Sequence, residues 1–333
     1  MSLKNNPLNN ALNRRQFLVR SAKAGLSIAA TCAIGYQFYD GSGPLGIKQE
    51  SEDAGLPDFS VPGTGGQLSI VRGRDRVKTL QLALNALGGL DTFVKSGDRI
   101  LLKVNAAFAT PPILSATTHP LLVSELTRLC LKAGAREVLV TDNPINDPAS
   151  CFALTGIGEA AQKSGARVIL PRDQYFKAMT IPDARLIRNW PVLYKPFKNI
   201  TKVIGVAPLK DHHRSGASMT MKNWYGLLGG RRNIFHQDIH NIIKELATML
   251  KPSLVILDGT TTMMSNGPTG GSLSDLKQTN TMIVSTDQVA ADAYGATLLG
   301  KDLSQLTFIA KAQESGVGTA DYGALNPEVL SAE

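Results

Sequence analysis

An α/β fold is what this 333-residue chain predicts: layers around one mostly parallel sheet, with helices on both faces. Two observations carry the prediction. Short apolar runs of strand length alternate with stretches of helical periodicity, the pattern of repeated βα units. About 270 residues follow the N-terminal segment, enough for a single large domain with room for a small subdomain.

Taken in chain order, residues 1–39 stand apart. The string Asn13-Arg14-Arg15-Gln16-Phe17-Leu18 sets adjacent arginines before a Phe-Leu pair, and no charged residue occurs from Ala24 to Tyr39. A basic start and a modest apolar stretch make the layout of a secretory leader. Twin arginines with Phe-Leu resemble a twin-arginine translocation signal. Gly25, Ser27, Thr31, Gly35 and Gln37 make the run a poor membrane span, which needs about 20 strongly apolar residues. The expectation is a leader read by the twin-arginine translocase, a periplasmic or otherwise exported protein, and no stable membrane span beyond the leader. Residues 40–66, rich in Gly, Pro, Ser and acids, read as a tether. An α/β domain is expected over 67–325 and a tail over 326–333.

Within that domain the apolar runs 68–71, 99–104, 137–141, 167–170, 202–207, 253–257 and 281–285 read as buried strands. Helical periodicity covers 75–87, 120–133, 156–164, 237–250 and 289–299. The clearest is the fourth, where Ile239, Ile242, Ile243, Leu246 and Leu250 form one stripe. No internal repeat is present.

Charge and cysteine content exclude several functions. The chain has 35 Lys and Arg against 27 Asp and Glu, a net charge of +8. Lys4, Arg14, Arg15, Arg20 and Lys23 precede the first acid, Asp40, so without them 30 bases face 27 acids and the balance is +3. The basic character is a property of the leader, and no nucleic-acid partner is expected. Beyond Cys32 in the leader only Cys130 and Cys151 remain. Their spacing leaves open whether they pair. With no C-x-x-C, no iron–sulfur cluster of the ferredoxin type is expected. No G-x-S-x-G, Walker or dinucleotide fingerprint occurs; the Gly-rich loop 266–271 reads as an ordinary turn-rich loop, with anion cradling by its backbone N–H groups as the alternative.

Ligands of parallel sheets bind beyond the carboxyl ends of the strands. Four such ends carry chemistry here: Lys103 with Asn105; Asp142-Asn143; Lys210-Asp211-His212-His213; and Asp258-Gly259. Four of the five histidines fall at 212, 213, 236 and 240, and histidine exchanges donor, acceptor and metal-ligand roles near neutral pH. Alternation of extended side chains predicts that His212 and His213 diverge. After Ser218 a helix is expected with Met221, Trp224, Tyr225 and Leu228 inward, and with Lys222, Asn223 and Gly226 on another face. Gly226 costs about 1 kcal/mol of helix propensity, so something approaches the backbone there. The first-turn N–H groups of that helix would favour an anion. His236 and His240 have the i, i+4 spacing of a metal pair without the glutamate of a zinc protease.

Several strings also resemble the domain-of-unknown-function family numbered 362. They are Gly97-Asp98-Arg99 through Lys103-Val104-Asn105, Thr118-His119-Pro120, Lys210-x-His212, Lys222-Asn223-x-x-Gly226, Asp258-Gly259 and Asn266-Gly267-Pro268-x-Gly270. The resemblance spans about residues 68 to 300. It implies twin-arginine export in many members and ferredoxin-like cysteine clusters in many; this chain departs from the latter. The activity of the family is unassigned. The resemblance implies site positions at Lys103, Asn105, His119, Asp142, Lys210, His212, Lys222, Asn223, Asp258 and Asn266.

From these readings His212, Lys222 and Asp258 are the catalytic candidates. Lys103, Asn105, His119, Asp142, Lys210, Asn223 and Asn266 are the ligand-binding candidates. His212, His236 and His240 are the candidates for a divalent metal. Two function classes follow: an enzyme acting on a small anionic or oxygen-rich ligand, or a non-catalytic metal- or cofactor-binding accessory factor for an exported partner.

Overall fold

The computed structural model describes residues 13–37 and 55–332. Two units separate, 1–48 and 49–333. In the first, helix α1 (Arg14–Gln37) has every residue exposed, and the Asn13 side chain caps its start by accepting the Gln16 N–H at 2.8 Å. Its length and composition would let it cross a membrane, a test that secretory leaders also pass. That is more than the sequence reading allowed, because a continuous 24-residue helix satisfies its own backbone despite Gly25 and Gly35.

The second unit contains β1 (Leu68–Arg72), α2 (Arg76–Ala86), β2 (Arg99–Lys103), α3 (Pro120–Lys132), β3 (Glu137–Thr141), α4 (Pro148–Leu154), α5 (Ile157–Lys163) and β4 (Arg167–Ile169). There follow β5 (Phe176–Met179), β6 (Trp190–Leu193), β7 (Lys202–His212), β8 (Gly216–Ser218), α6 (Thr220–Asn223), α7 (Ile239–Met249), β9 (Leu254–Met263), β10 (Leu276–Ser285), α8 (Gln288–Leu298), α9 (Thr307–Glu314) and β11 (Glu328–Ser331). Strands β5 and β6 pair as a separate small ribbon. The main sheet runs β11-β1-β10-β9-β7-β2-β3-β4, with β8 folded back on β7. All its neighbours are parallel except those of β10 and β8.

Alternate residues of each central strand enter opposite cores, as the period of two requires. Ile100, Leu102, Val138, Val140, Ile204 and Val206 pack with Leu80, Leu84, Leu122 and Leu126 of α2 and α3. Leu101, Leu139, Val203, Ala207, Val255 and Leu257 pack with Ile242, Ile243 and Leu246 of α7 and with α8 and α9. Burying each such aliphatic side chain contributes about 1.5–3 kcal/mol. From β2 the chain proceeds to β3 and β4 in one direction along the sheet, with α3 on one face. From β7 it proceeds to β9 in the other direction, with α7 on the opposite face. The carboxyl ends of β2 and β7 therefore flank a topological switch point, where open α/β sheets form a crevice.

Four expected boundaries are corrected. The tether was to reach residue 66, but Leu56 and Phe59 are buried in the core, and the Phe59 carbonyl accepts the Ser253 hydroxyl at 2.6 Å; residues 40–54 lie outside the described residues. The tail over 326–333 contains β11, paired in parallel with β1. Strands β7 and β9 run five or six residues past their expected ends, so Asp258 falls inside a strand. Cys130 and Cys151 are both free and buried.

Candidate anion-binding site

A cavity of about 200 Å³ opens at the crevice beyond β2, β3 and β7. Asn105, Asp142, Lys210, His212, Lys222 and Asn223 line it, together with Phe108, His213, Tyr225, Gly226, Arg232, His236 and Pro268. Seven expected site residues, His236 among them, thus meet at one place, and Lys103 lies directly behind them.

The base of the cavity is a buried ion pair. Lys103 Nζ stands 2.7 Å from Asp142 Oδ1, with both side chains almost fully buried. The same ammonium donates to the carbonyls of Val104 (2.7 Å) and Asn223 (3.0 Å), and Asp142 Oδ2 accepts the Ala106 N–H at 2.6 Å. Burial lowers the Lys103 pKa below its ordinary value, and Asp142 opposes the shift. Gly226 lies against this pair: a Cβ there would stand 2.0 Å from Asp142 Oδ1 and 2.9 Å from Lys103 Nζ. That is the close approach to the Gly226 backbone which the sequence implied.

Among the described residues two more buried lysines have no carboxylate in ion-pair contact, although Asp142, paired with Lys103, acts on Lys210 from further off. Lys210 is 1 % exposed; its Nζ donates to the Ala116 carbonyl and sits 5.2 Å from the Phe108 ring centre. Burial, then the nearby Lys222 charge, brings its pKa to about 7. Lys222 is 8 % exposed and stands 4.9 Å over the Tyr225 ring. Burial, then Arg232, brings it also to about 7. Arg232 clasps the cavity wall, donating to the carbonyls of Leu228 (3.0 Å), Asn143 (2.8 Å) and Pro144 (2.9 Å). Asp142, already paired with Lys103, is the carboxylate lining the cavity.

His212 is held in one tautomer. Its Nδ1 accepts the N–H groups of Arg214 (3.1 Å) and Ser215 (3.3 Å), so the ring proton resides on Nε2. Burial first, then the charges of Lys222 and Lys210, hold its pKa far below the ordinary histidine value. His212 is thus a neutral hydrogen-bond donor. A metal at Nε2 would require the proton on Nδ1, against two backbone donors, which corrects its expected use as a metal ligand. His213 does not diverge from it: the rings stack at 5.1 Å, because β7 ends at His212 and the chain turns there. His236 also stacks on His212, at 6.0 Å, its Nδ1 3.1 Å from the Asn233 carbonyl.

His240 does not join them. Asp238 precedes α7 as its N-cap residue, which leaves His236 in a 3₁₀ turn and His240 stacked on Phe308. The i, i+4 pair is broken, and no group of three His, Cys, Asp or Glu suited to a metal occurs among the described residues. Asp258 also lies elsewhere: its Oδ2 accepts Arg76 Nε at 2.7 Å. His119, whose ring caps α3, shares a second cavity with Arg76. Asn266 bonds Asp275 at 2.6 Å, although its neighbour Pro268 reaches the first cavity. The amides at the start of α6 are not free for an anion, since Asp292 accepts the N–H groups of Thr220 (2.8 Å) and Met221 (3.1 Å). Arg232 and Tyr225 were not foreseen as cavity residues. Arg232 has no spacing signature, and the spacing of Tyr225 places it on the apolar stripe.

A family model described as a domain of unknown function, DUF362, matches residues 100–297. A thylakoid-associated protein of Synechocystis sp. is 24% identical over 260 residues, which span 72% of this chain and 74% of that protein. Among solved structures, the lactate racemase apoprotein from Thermoanaerobacterium thermosaccharolyticum is similar at 13% identity and a TM-score of 0.39, with 75% of this chain and 59% of that one covered.

Proposed function

The chain belongs to the DUF362 family, a domain of unknown function, and from its cavity we propose that it is an enzyme acting on a small anionic, oxygen-rich ligand. One observation carries this reading: Lys210 and Lys222 are buried together beside a neutral His212 donor, with no unpaired carboxylate among them. Burying unpaired ammonium groups is costly, and an anion between them relieves that cost. A volume of about 200 Å³ equals six or seven waters at about 30 Å³ each, which suits a ligand with few heavy atoms.

In this reading Lys210 and Lys222 neutralise the ligand's charge, and His212 Nε2–H donates to an oxygen where charge develops. Lys222, titrating near pH 7, is suited to proton transfer. Asn105 Oδ1 is buried without a partner and would accept from a ligand hydroxyl. His212 Nε2, which carries the ring proton, and the lysines while charged offer no lone pair to a divalent metal. Thermal denaturation against a panel of small carboxylates, phosphates and sulfates tests binding, followed by turnover assays on each stabilising compound. Stabilisation by at least one anion, lost in Lys222→Met, is expected. Stabilisation without turnover of any binder would instead support the non-catalytic accessory role. No stabilisation by any anion would overturn the proposal.

We propose also that α1 directs export by the twin-arginine route. The paired Arg14 and Arg15, the apolar helix and a thylakoid-associated relative support it. Replacing both arginines by lysine should trap the chain in the cytoplasm; undiminished periplasmic accumulation would refute the claim.

A further inference from the structure

Two positions that the family resemblance singled out, His119 and Asp258, are not at the cavity just described. They meet instead around Arg76, beside a second cavity of about 400 Å³ lined by Arg76, Ser115, His119, Thr261, Gln278 and apolar residues. The two cavities share no lining residue. The loop between β2 and α3 divides them, with Phe108 facing the first and Ile113 and Ser115 the second.

The polar groups of this second cavity are donors. Arg76 spends only Nε on Asp258, and its terminal nitrogens have no protein partner among the described residues. Both Asp258 oxygens are already engaged, Oδ2 by Arg76 and Oδ1 by the Thr260 N–H at 2.9 Å. His119 Nδ1 accepts the Leu121 N–H at 3.3 Å, so its proton lies on Nε2. Gln278 accepts the Thr261 hydroxyl through Oε1 at 3.1 Å, which leaves its amide N–H₂ to donate. The nearby Asp75 carboxylate is turned to the Val77 and Lys78 N–H groups. Burial, then the Arg76 charge, lowers the His119 pKa to about 4, so it stays a neutral donor. Around these donors stand Ile113 and Leu273, 64% and 58% exposed, with Pro112 and Leu276.

We infer that this second cavity binds an organic anion, with its carboxylate or phosphate on the Arg76 guanidinium and His119 Nε2–H and its apolar body against Ile113 and Leu273. A forked guanidinium matches a carboxylate or phosphate in two parallel hydrogen bonds. The inference does not depend on what the first cavity binds.

Phenyl phosphate and inorganic phosphate are the probes, titrated into the folded full chain carrying nitrogen-15 in its histidine rings. The His119 signals report on this cavity, and those of His212 and His236 on the first. Saturable movement of the His119 signals is expected, with phenyl phosphate binding more tightly than inorganic phosphate and raising the His119 pKa, since an anion stabilises the imidazolium. Gln278→Glu puts a carboxylate into the cavity without touching the buried Arg76–Asp258 pair. It should weaken phenyl phosphate at His119 by roughly tenfold or more and leave the His212 response unchanged. Static His119 signals, or wild-type affinity in Gln278→Glu, would overturn the assignment.

Discussion

Replacing Gly226 by alanine adds one methyl group and should nonetheless disrupt the site. The added Cβ would lie 2.0 Å from Asp142 Oδ1 and 2.9 Å from Lys103 Nζ. Neither partner can yield cheaply. Lys103 is tied to two carbonyls, and Asp142 to the N–H groups of Ala106 and Asn143. Backbone strain is not at issue, because Gly226 does not adopt a positive φ. Gly226 lies in the 3₁₀ turn Trp224–Leu227, where alanine in place of glycine should stabilise by up to about 1 kcal/mol through the unfolded chain's entropy. Separating a buried ion pair costs about 3–5 kcal/mol, so the net expectation is a loss of about 2–4 kcal/mol. Against a typical total of about 5–15 kcal/mol, urea denaturation followed by circular dichroism resolves this easily. A Gly226→Ala protein as stable as the wild type, or more so, would show that no tight ion pair lies under that glycine.

Two further outcomes follow from the same geometry. Lys210 and Lys222 lose their protons near pH 7 in the folded chain but near 10.4 when unfolded. Above pH 7 the unfolded state therefore holds more protons, and stability rises with pH. From pH 7 to 8, below the midpoint of unfolded thiols, the gain should be about 1 kcal/mol per lysine; urea midpoints that fall across this interval would contradict it. Asp292→Asn sets an amide against donors that the carboxylate now accepts at the start of α6. A loss of about 1–3 kcal/mol is expected by urea denaturation, with weaker anion binding at Lys222; unchanged stability would sink this role for Asp292.

The parts of the fold that were legible in the sequence are those whose local signal matches their environment. The apolar runs of β2, β3 and β7 could only be covered strands, and the isoleucine stripe of α7 could only face a core. Strand ends at a switch point converge whatever their sequence separation, which is why Asn105, Asp142, His212 and Lys222 were recognisable as neighbours. Asp258 was misplaced because Gly259-Thr260-Thr261-Thr262 reads as a loop. In the structure those residues continue β9 against β10, and long-range pairing overrides weak local preference. Strand β11 was missed for the same reason, since its partner β1 lies some 260 residues away. Arg232 holds its place by hydrogen bonds to carbonyls of residues near and far, a role with no spacing to betray it.

The most direct test of the anion site is the proton balance of binding. Calorimetric titration of the best-stabilising anion at pH 8, repeated in buffers of different ionisation enthalpy, counts protons taken up. Both lysines are then largely neutral, and an anion between them restores their charge. The account predicts net proton uptake in the wild type, reduced in Lys210→Met and in Lys222→Met. Binding with no proton uptake, or with uptake unchanged in both variants, would contradict it.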